Sequence, residues 1–207
     1  MGVSFSGSCV VLSRYNDINA VQGGYVDTSY TSEQPRCNEL NSNDIQTCAD
    51  TWNVQCSSAK QLQNVAALLA PYVQAGDIIL LEGDLGAGKT CFTQGLAHAM
   101  GTHDDVVSPT FNLLLSYATH GIPLYHFDLY RLDTYEQLDD IAFYETIEGD
   151  GVSCIEWGEK FIVALGDDIL RVYISVDEQQ NRQVHIQATG ARSAHVSKSW
   201  HDAYTQL

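Results

Sequence analysis

Apolar positions along the chain separate three kinds of stretch. Residues 1–55 are rich in Ser, Asn, Thr, Gln and Gly, hold no sustained period, and contain only Cys9 to Leu12 as an apolar run. They read as a polar extension, disordered or loosely docked, or as an over-long start. From Ser57 a helical period sets in: Leu62, Val65, Ala66, Leu69 and Val73 fall on one face. Ser58-Ala-Lys-Gln61 ahead of them has the form of a capping box, and Gly76 is the expected end of that helix. Ile78 to Leu81 is short and wholly apolar, as a buried strand requires, and Thr90 to Met100 has helix-forming composition.

Further on, Phe111 to Tyr117 and Leu124 to Tyr130 are strand-like runs around a turn with Gly121 and Pro123, the pattern of an antiparallel hairpin. Thr134-Tyr-Glu-Gln137 predicts a second capping box, with Leu138, Ile141, Ala142 and Tyr144 on a short helix. Val152 to Ile155 predicts a buried strand ending at Glu156. Two late strands, Ile169 to Val176 and Gln183 to Ala188, flank a turn from Asp177 to Asn181. No internal repeat is present. The order predicts an α/β fold whose sheet carries antiparallel additions, in one compact domain over residues 56–192, with 193–207 as a tail.

The junction of the first strand and the second helix carries the chemistry. Gly83-Asp84-Leu85-Gly86-Ala87-Gly88-Lys89-Thr90 is a complete G-x-x-x-x-G-K-T phosphate loop in its required strand-loop-helix setting. Its glycines let the backbone fold around a phosphate, Lys89 can reach the β and γ phosphates, and Thr90 can ligate Mg²⁺. The amides that open the helix, through Cys91, add the positive end of its dipole. Such a loop needs a carboxylate from the end of a nearby strand to hold Mg²⁺ directly or through water. Glu156 and Asp128 are the candidates. Ser108-Pro-Thr110-Phe111 offers hydroxyls on a loop able to close on the γ phosphate. Trp157 reads as core, as a stacking partner for the nucleotide, or as a shield against water. His126 reads as a packing histidine rather than a base, and Arg131 as a partner of phosphate or of Asp128.

Charge narrows the partners. The net charge is −16, with 10 Lys and Arg, and between Gln61 and Glu159 the only ones are Lys89 and Arg131. That scarcity argues against autonomous nucleic-acid binding, which rests on Lys and Arg displacing counterions. Six cysteines without C-x-x-C spacing read as reduced thiols of a cytoplasmic protein, and not as a zinc site. No stretch has the length of a membrane span, and Met1-Gly2-Val-Ser-Phe-Ser6 matches the loose myristoylation pattern at the level of chance.

Four segments together resemble the TsaE family, the small P-loop ATPases of bacterial tRNA threonylcarbamoyladenosine synthesis: Gly83 to Thr90, Val107-Ser-Pro-Thr-Phe111, His126-Phe-Asp-Leu-Tyr-Arg-Leu132 and Ile155-Glu-Trp-Gly-Glu159. The resemblance covers about Ser57 to Gly190. It implies a P-loop NTPase-like three-layer fold with a mixed sheet, and ATP and Mg²⁺ as ligands. Asp84, Leu85, Gly86, Ala87, Gly88, Lys89, Thr90, Cys91 and Trp157 would lie around the nucleotide, with Thr90 and Glu156 organising the metal. Lys89, Asp128 and Glu156 would be catalytic, and Thr110 would sit in a switch-like loop. It further implies that TsaB and TsaD are the partners, that tRNA is met only through them, and that TsaD modifies adenosine 37 of tRNAs reading codons that begin with A. Leu62 departs from the Thr that similar sequences often carry there.

A small-molecule kinase would use the same loop, but would need more cations around its acceptor than this stretch provides. A GTP switch would need an Asn-Lys-x-Asp tetrapeptide, which the sequence lacks. A scaffold that binds nucleotide without hydrolysis fits poorly with intact Lys89, Thr90, Asp128 and Glu156. With Arg131 the one other cation in reach, hydrolysis is expected to be slow alone and faster in a partner complex.

Overall fold

In the computed structural model residues 51–207 are described; the polar segment 1–50, with the Met1–Ser6 pattern, Cys9, Cys37 and Cys48, lies outside the described residues. Five consecutive apolar or strand-end residues, Ile78–Glu82, are all buried and form β2 at the middle of a seven-stranded sheet. A strand buried on both faces cannot alternate with polar residues, which is why this run is continuous.

The other strands are β1 (Thr51–Cys56), β3 (Leu114–Tyr117), β4 (Leu124–Asp128), β5 (Val152–Glu156), β6 (Leu170–Val176) and β7 (Arg182–Ala188), in the spatial order β1-β7-β6-β2-β5-β4-β3. β4, β5, β2 and β6 run parallel, while β3, β7 and β1 add at the two sides in antiparallel fashion. Parallel neighbours end at the same edge, so the carboxyl ends of β2, β4 and β5 open together, the customary place for a ligand in such a sheet.

Helices α1 (Ala59–Ala67), α2 (Lys89–Ala99) and α6 (Ala191–Tyr204) cover one face, where Leu62, Phe92, Leu96 and Trp200 pack with Ile79, Leu81, Cys154 and Val172. The short helices α3 (Glu136–Asp139), α4 (Phe143–Ile147) and α5 (Ile162–Leu165) cover the other, with Leu138, Phe143 and Leu165 on Leu80, Phe127 and Ile155. The result is a three-layer α/β fold with a mixed sheet. α1 approaches α2 closely because Gly95 has no side chain: a Cβ there would stand 2.3 Å from the Gln63 carbonyl oxygen.

The capping signal at Ser58 is realised with a shift. Ser58 Oγ accepts from the Gln61 amide at 3.2 Å, while Gln61 Oε1 accepts from the amide of Ser57 at 2.8 Å. The helix closes at Ala67, ahead of a 3₁₀ turn over Ala70–Tyr72 that carries Pro71, so Gly76 (φ 83°) belongs to the next turn and does not end the helix. The hairpin strands are shorter than the apolar runs suggest, and the predicted helix after Thr134 is two helices, broken at Ala142 (φ 52°).

Both ends of the sheet domain lie further out than the composition indicates. β1 begins at Thr51, ahead of the expected boundary, with Trp52, Val54 and Cys56 facing inward, and it pairs with β7 from Thr51↔Gln187 to Cys56↔Arg182. The segment expected as a tail is α6, whose Trp200 is fully buried and donates from Nε1 to the Val65 carbonyl at 2.9 Å. Trp52 meets Trp200 edge to face at 4.9 Å and donates to Ser197 Oγ at 3.1 Å.

Candidate functional site

The loop from Gly83 to Gly88 leaves β2 against the neighbouring strand. Gly83 has φ 129°, and a Cβ on it would come within 2.0 Å of the Ile174 carbonyl oxygen of β6, so glycine is the residue the turn accepts. Asp84, Leu85 and Gly86 form the exposed crown of the loop, Leu85 with 91% of its surface free, and Ala87 is buried beneath it. Gly88 caps α2, whose first-turn amides at Lys89, Thr90 and Cys91 are available to an anion. The Cys91 thiol turns away to the Ala59 carbonyl at 3.4 Å, so only its main chain faces the loop.

Lys89 is buried and folds back over the loop: Nζ donates to the carbonyls of Gly83 at 2.6 Å and Asp84 at 3.0 Å, and lies 4.0 Å from the centre of the Trp157 ring. Burial pulls its ammonium below the usual lysine range, opposed by the negative field of Glu156, Glu159, Asp128 and Asp84. The ammonium is thus held over the loop by main-chain oxygens of the loop itself.

The two strand-end carboxylates come together as register partners, Asp128 on β4 opposite Glu156 on β5. Both are nearly fully buried. Thr90 Oγ1 donates to Glu156 Oε1 at 2.8 Å, and His126 Nε2 lies 2.9 Å from the same oxygen. Asp128 Oδ2 accepts from the hydroxyl of Thr110 in a short bond and from Ser108 Oγ at 3.4 Å, and its Oδ1 accepts from the Tyr130 amide at 3.0 Å. The hydroxyl loop expected as a switch is therefore fastened to Asp128. Trp157 adopts a left-handed backbone (φ 60°) directly after β5, and its ring meets that of Tyr130 at 5.3 Å, inclined by 60°.

Arg131 does not pair with Asp128, one of the two partners its isolation suggested. Its guanidinium lies over the Phe111 ring at 4.6 Å, and among the described residues no ion pair joins it to Asp128. Two cations distant in sequence approach the loop instead. Arg171 forms a bidentate pair with Glu82 at the end of β2, and Arg182 Nε stands 3.8 Å from where a Cβ on Gly88 would be. Neither was visible as a neighbour of the loop, because β6 and β7 reach it only through the sheet order.

The gathered donors are oxygens, a hydroxyl and carboxylates, which suit a hard divalent cation such as Mg²⁺. Among the described residues no group of three or more His, Cys, Asp or Glu forms a metal cage; Mg²⁺ at a phosphate site is commonly held by one or two protein oxygens with the substrate completing the shell.

The sequence model of the family described as threonylcarbamoyl adenosine biosynthesis protein TsaE matches residues 56–184. The chain belongs to the TsaE family. Among its TsaE relatives, the Treponema pallidum protein is 37% identical over 130 residues, which is 62% of this chain and 95% of that protein. The Bacillus subtilis protein is 35% identical over 133 residues, 64% of this chain and 83% of the relative. Both are described as tRNA threonylcarbamoyladenosine biosynthesis proteins. In three dimensions the chain is similar to the crystal structure of Bacillus subtilis YdiB, with a TM-score of 0.65 and 29% identity, over 74% of this chain and 96% of that one. The TsaE match begins at Cys56, the last residue of β1, and stops at Val184 inside β7, so most of β1 and all of α6 lie outside it.

Proposed function

We propose that this TsaE chain binds ATP with Mg²⁺, hydrolyses it, and through that cycle supports threonylcarbamoylation of adenosine 37 of tRNAs reading codons that begin with A, in the cytoplasm and together with TsaB and TsaD. The observation that carries this reading is the 2.8 Å hydrogen bond from Thr90 to Glu156, formed next to a phosphate loop whose Lys89 is at hand. The hydroxyl and the carboxylate that would share the cation stand within hydrogen-bond distance of each other.

ATP would lay its phosphates in the loop, against the amides of Gly86 to Cys91. Lys89 Nζ would exchange the carbonyls of Gly83 and Asp84 for phosphate oxygens, staying under Trp157. Thr90 and Glu156 would hold Mg²⁺, which supplies charge neutralisation on the phosphate oxygens. Asp128 would orient the attacking water, once Thr110 and Ser108 release its Oδ2. Trp157 and Tyr130, whose rings meet at 5.3 Å, would flank one side of the mouth.

The exposed apolar side chains of Leu85, Phe111 and Tyr130 belong to the loops that frame this mouth, which supports a protein partner there. The acidic surface supports tRNA being held by the partners and not by this chain. ATP hydrolysis by the purified chain, alone and with TsaB plus TsaD, tests the reading, with Lys89→Ala as control. Stimulation that disappears in the variant is the expected result. Phosphate release that ignores the partners, or that appears only with a small-molecule acceptor, replaces this reading with that of a kinase.

A further inference from the structure

We propose that His126 is a positioning residue: its imidazole fixes the Glu156 carboxylate so that one oxygen is turned outward for the divalent cation. The inference rests on the Mg-ATP reading above and deepens it.

Leu124, His126 and Asp128 are alternate residues of β4 and share its face, so His126 lies one pleat deeper than Asp128, below the level at which a ligand enters. Its side chain is fully buried. From there Nε2 reaches Glu156 Oε1 at 2.9 Å, while Thr90 reaches the same oxygen from α2 at 2.8 Å. Oε1 can only accept from both, so Nε2 carries a proton and donates it to the carboxylate. Among the described residues Glu156 Oε2 has no hydrogen bond. Two donors converge on one oxygen, and the second oxygen is left free for a ligand.

Packing does not account for this histidine. Nδ1 is buried and has no hydrogen-bond partner, a condition that costs stability and that Leu or Phe at the same position would avoid. What an apolar residue would lose is the second donor to Oε1. With Thr90 alone the carboxylate can turn about its terminal torsion, which is soft for Glu. Partners that orient a metal-binding carboxylate commonly change metal affinity by about 10- to 100-fold when removed.

Calorimetric titration of ATP into the full chain, in EDTA and at stepped Mg²⁺ concentrations, tests the proposal with three variants. His126→Gln places an amide N–H near the position of Nε2. His126→Asn is too short to do so, and His126→Leu has no donor. The expected result is a Mg²⁺ midpoint raised about 10- to 100-fold in the Asn and Leu variants, restored toward the parent in the Gln variant, with ATP affinity in EDTA unchanged throughout. A parental midpoint in the Asn and Leu variants overturns the proposal. So does an equal loss in all three variants with and without Mg²⁺, which marks a purely structural residue. If the Leu variant does not fold, the contrast between Gln and Asn decides. If the parent itself binds no ATP or ignores Mg²⁺, the nucleotide reading fails and takes this proposal with it, an outcome visible in the parent alone.

Discussion

Thr90 and Glu156, 66 residues apart in the chain, meet through a 2.8 Å hydrogen bond between the first turn of α2 and the last residue of β5. Neither residue has this geometry by local preference. The contact exists because β2, which delivers the phosphate loop, is hydrogen-bonded to β5 along its length.

Replacing Glu156 by Ala leaves Thr90 without its acceptor and removes the charge that would face the cation. The expected outcome is a fall in ATP turnover of about 10²- to 10³-fold, the equivalent of a few kcal/mol of transition-state stabilisation. ATP binding in EDTA should keep the parental affinity. Steady-state turnover and calorimetry on the same preparation separate the two; equal losses in both would remove Glu156 from the metal site.

Lys89→Ala deletes an ammonium whose hydrogen bonds are to the Gly83 and Asp84 carbonyls of its own loop. Charge-assisted hydrogen bonds to phosphate contribute about 1.5–3 kcal/mol, so ATP affinity should drop about 10- to 100-fold. The thermal midpoint without nucleotide should stay close to the parent's. Calorimetric titration checks the first, a melting curve the second.

Thr110→Val removes the hydroxyl that fastens the 108–111 loop to Asp128. ATP binding should hold, and limited proteolysis should cut this loop faster than in the parent. An unaltered cleavage rate would show that the Thr110 contact does not restrain the loop.

Buried Cys154 has its thiol pushed up to about 12, chiefly by desolvation, with a hydrogen bond involving Thr93 working the other way. Because the folded value lies above the ordinary one of 9.0, the thiolate is scarce in the folded protein throughout the neutral and mildly alkaline range. By linkage, this group's contribution to stability declines as pH rises from about 9 toward 12, since only the unfolded chain ionises there. Alkylation at pH 8 followed by mass mapping should leave Cys154 unmodified in the native chain and modify it in urea.

Much of this site is legible from sequence, and the reason is local. A phosphate loop is a continuous segment whose glycines and Lys89 act on their own backbone, and β2 and β5 are buried throughout and largely apolar because both of their faces are covered. What escapes the sequence depends on partners. β1 alternates Trp52, Val54 and Cys56 with Thr51, Asn53 and Gln55, a weak signal at the end of a long polar stretch. α6 buries Ser193, Val196, Ser197 and Trp200, a helical period disguised by two serines. His126 reads as ordinary packing until β4 is seen beside β5, and the nearness of Arg171 and Arg182 follows only from the strand order.

The strand and the helix that the sequence pattern disguises meet each other through Trp52 and Trp200. Trp200→Ala should destabilise the full chain by about 3–5 kcal/mol, because it empties a fully buried position and breaks the bond to Val65. Urea unfolding followed by far-UV circular dichroism measures it.

The pairing of β1 with β7 also bears on how the chain is made. A ribosome delivers Trp52, Val54 and Cys56 early, yet their strand partners run from Arg182 to Gln187 and their aromatic neighbour is Trp200. The first strand of the sheet therefore waits, apolar side uncovered, through the synthesis of almost everything between them. Closure of that side is a late event in the life of the nascent chain.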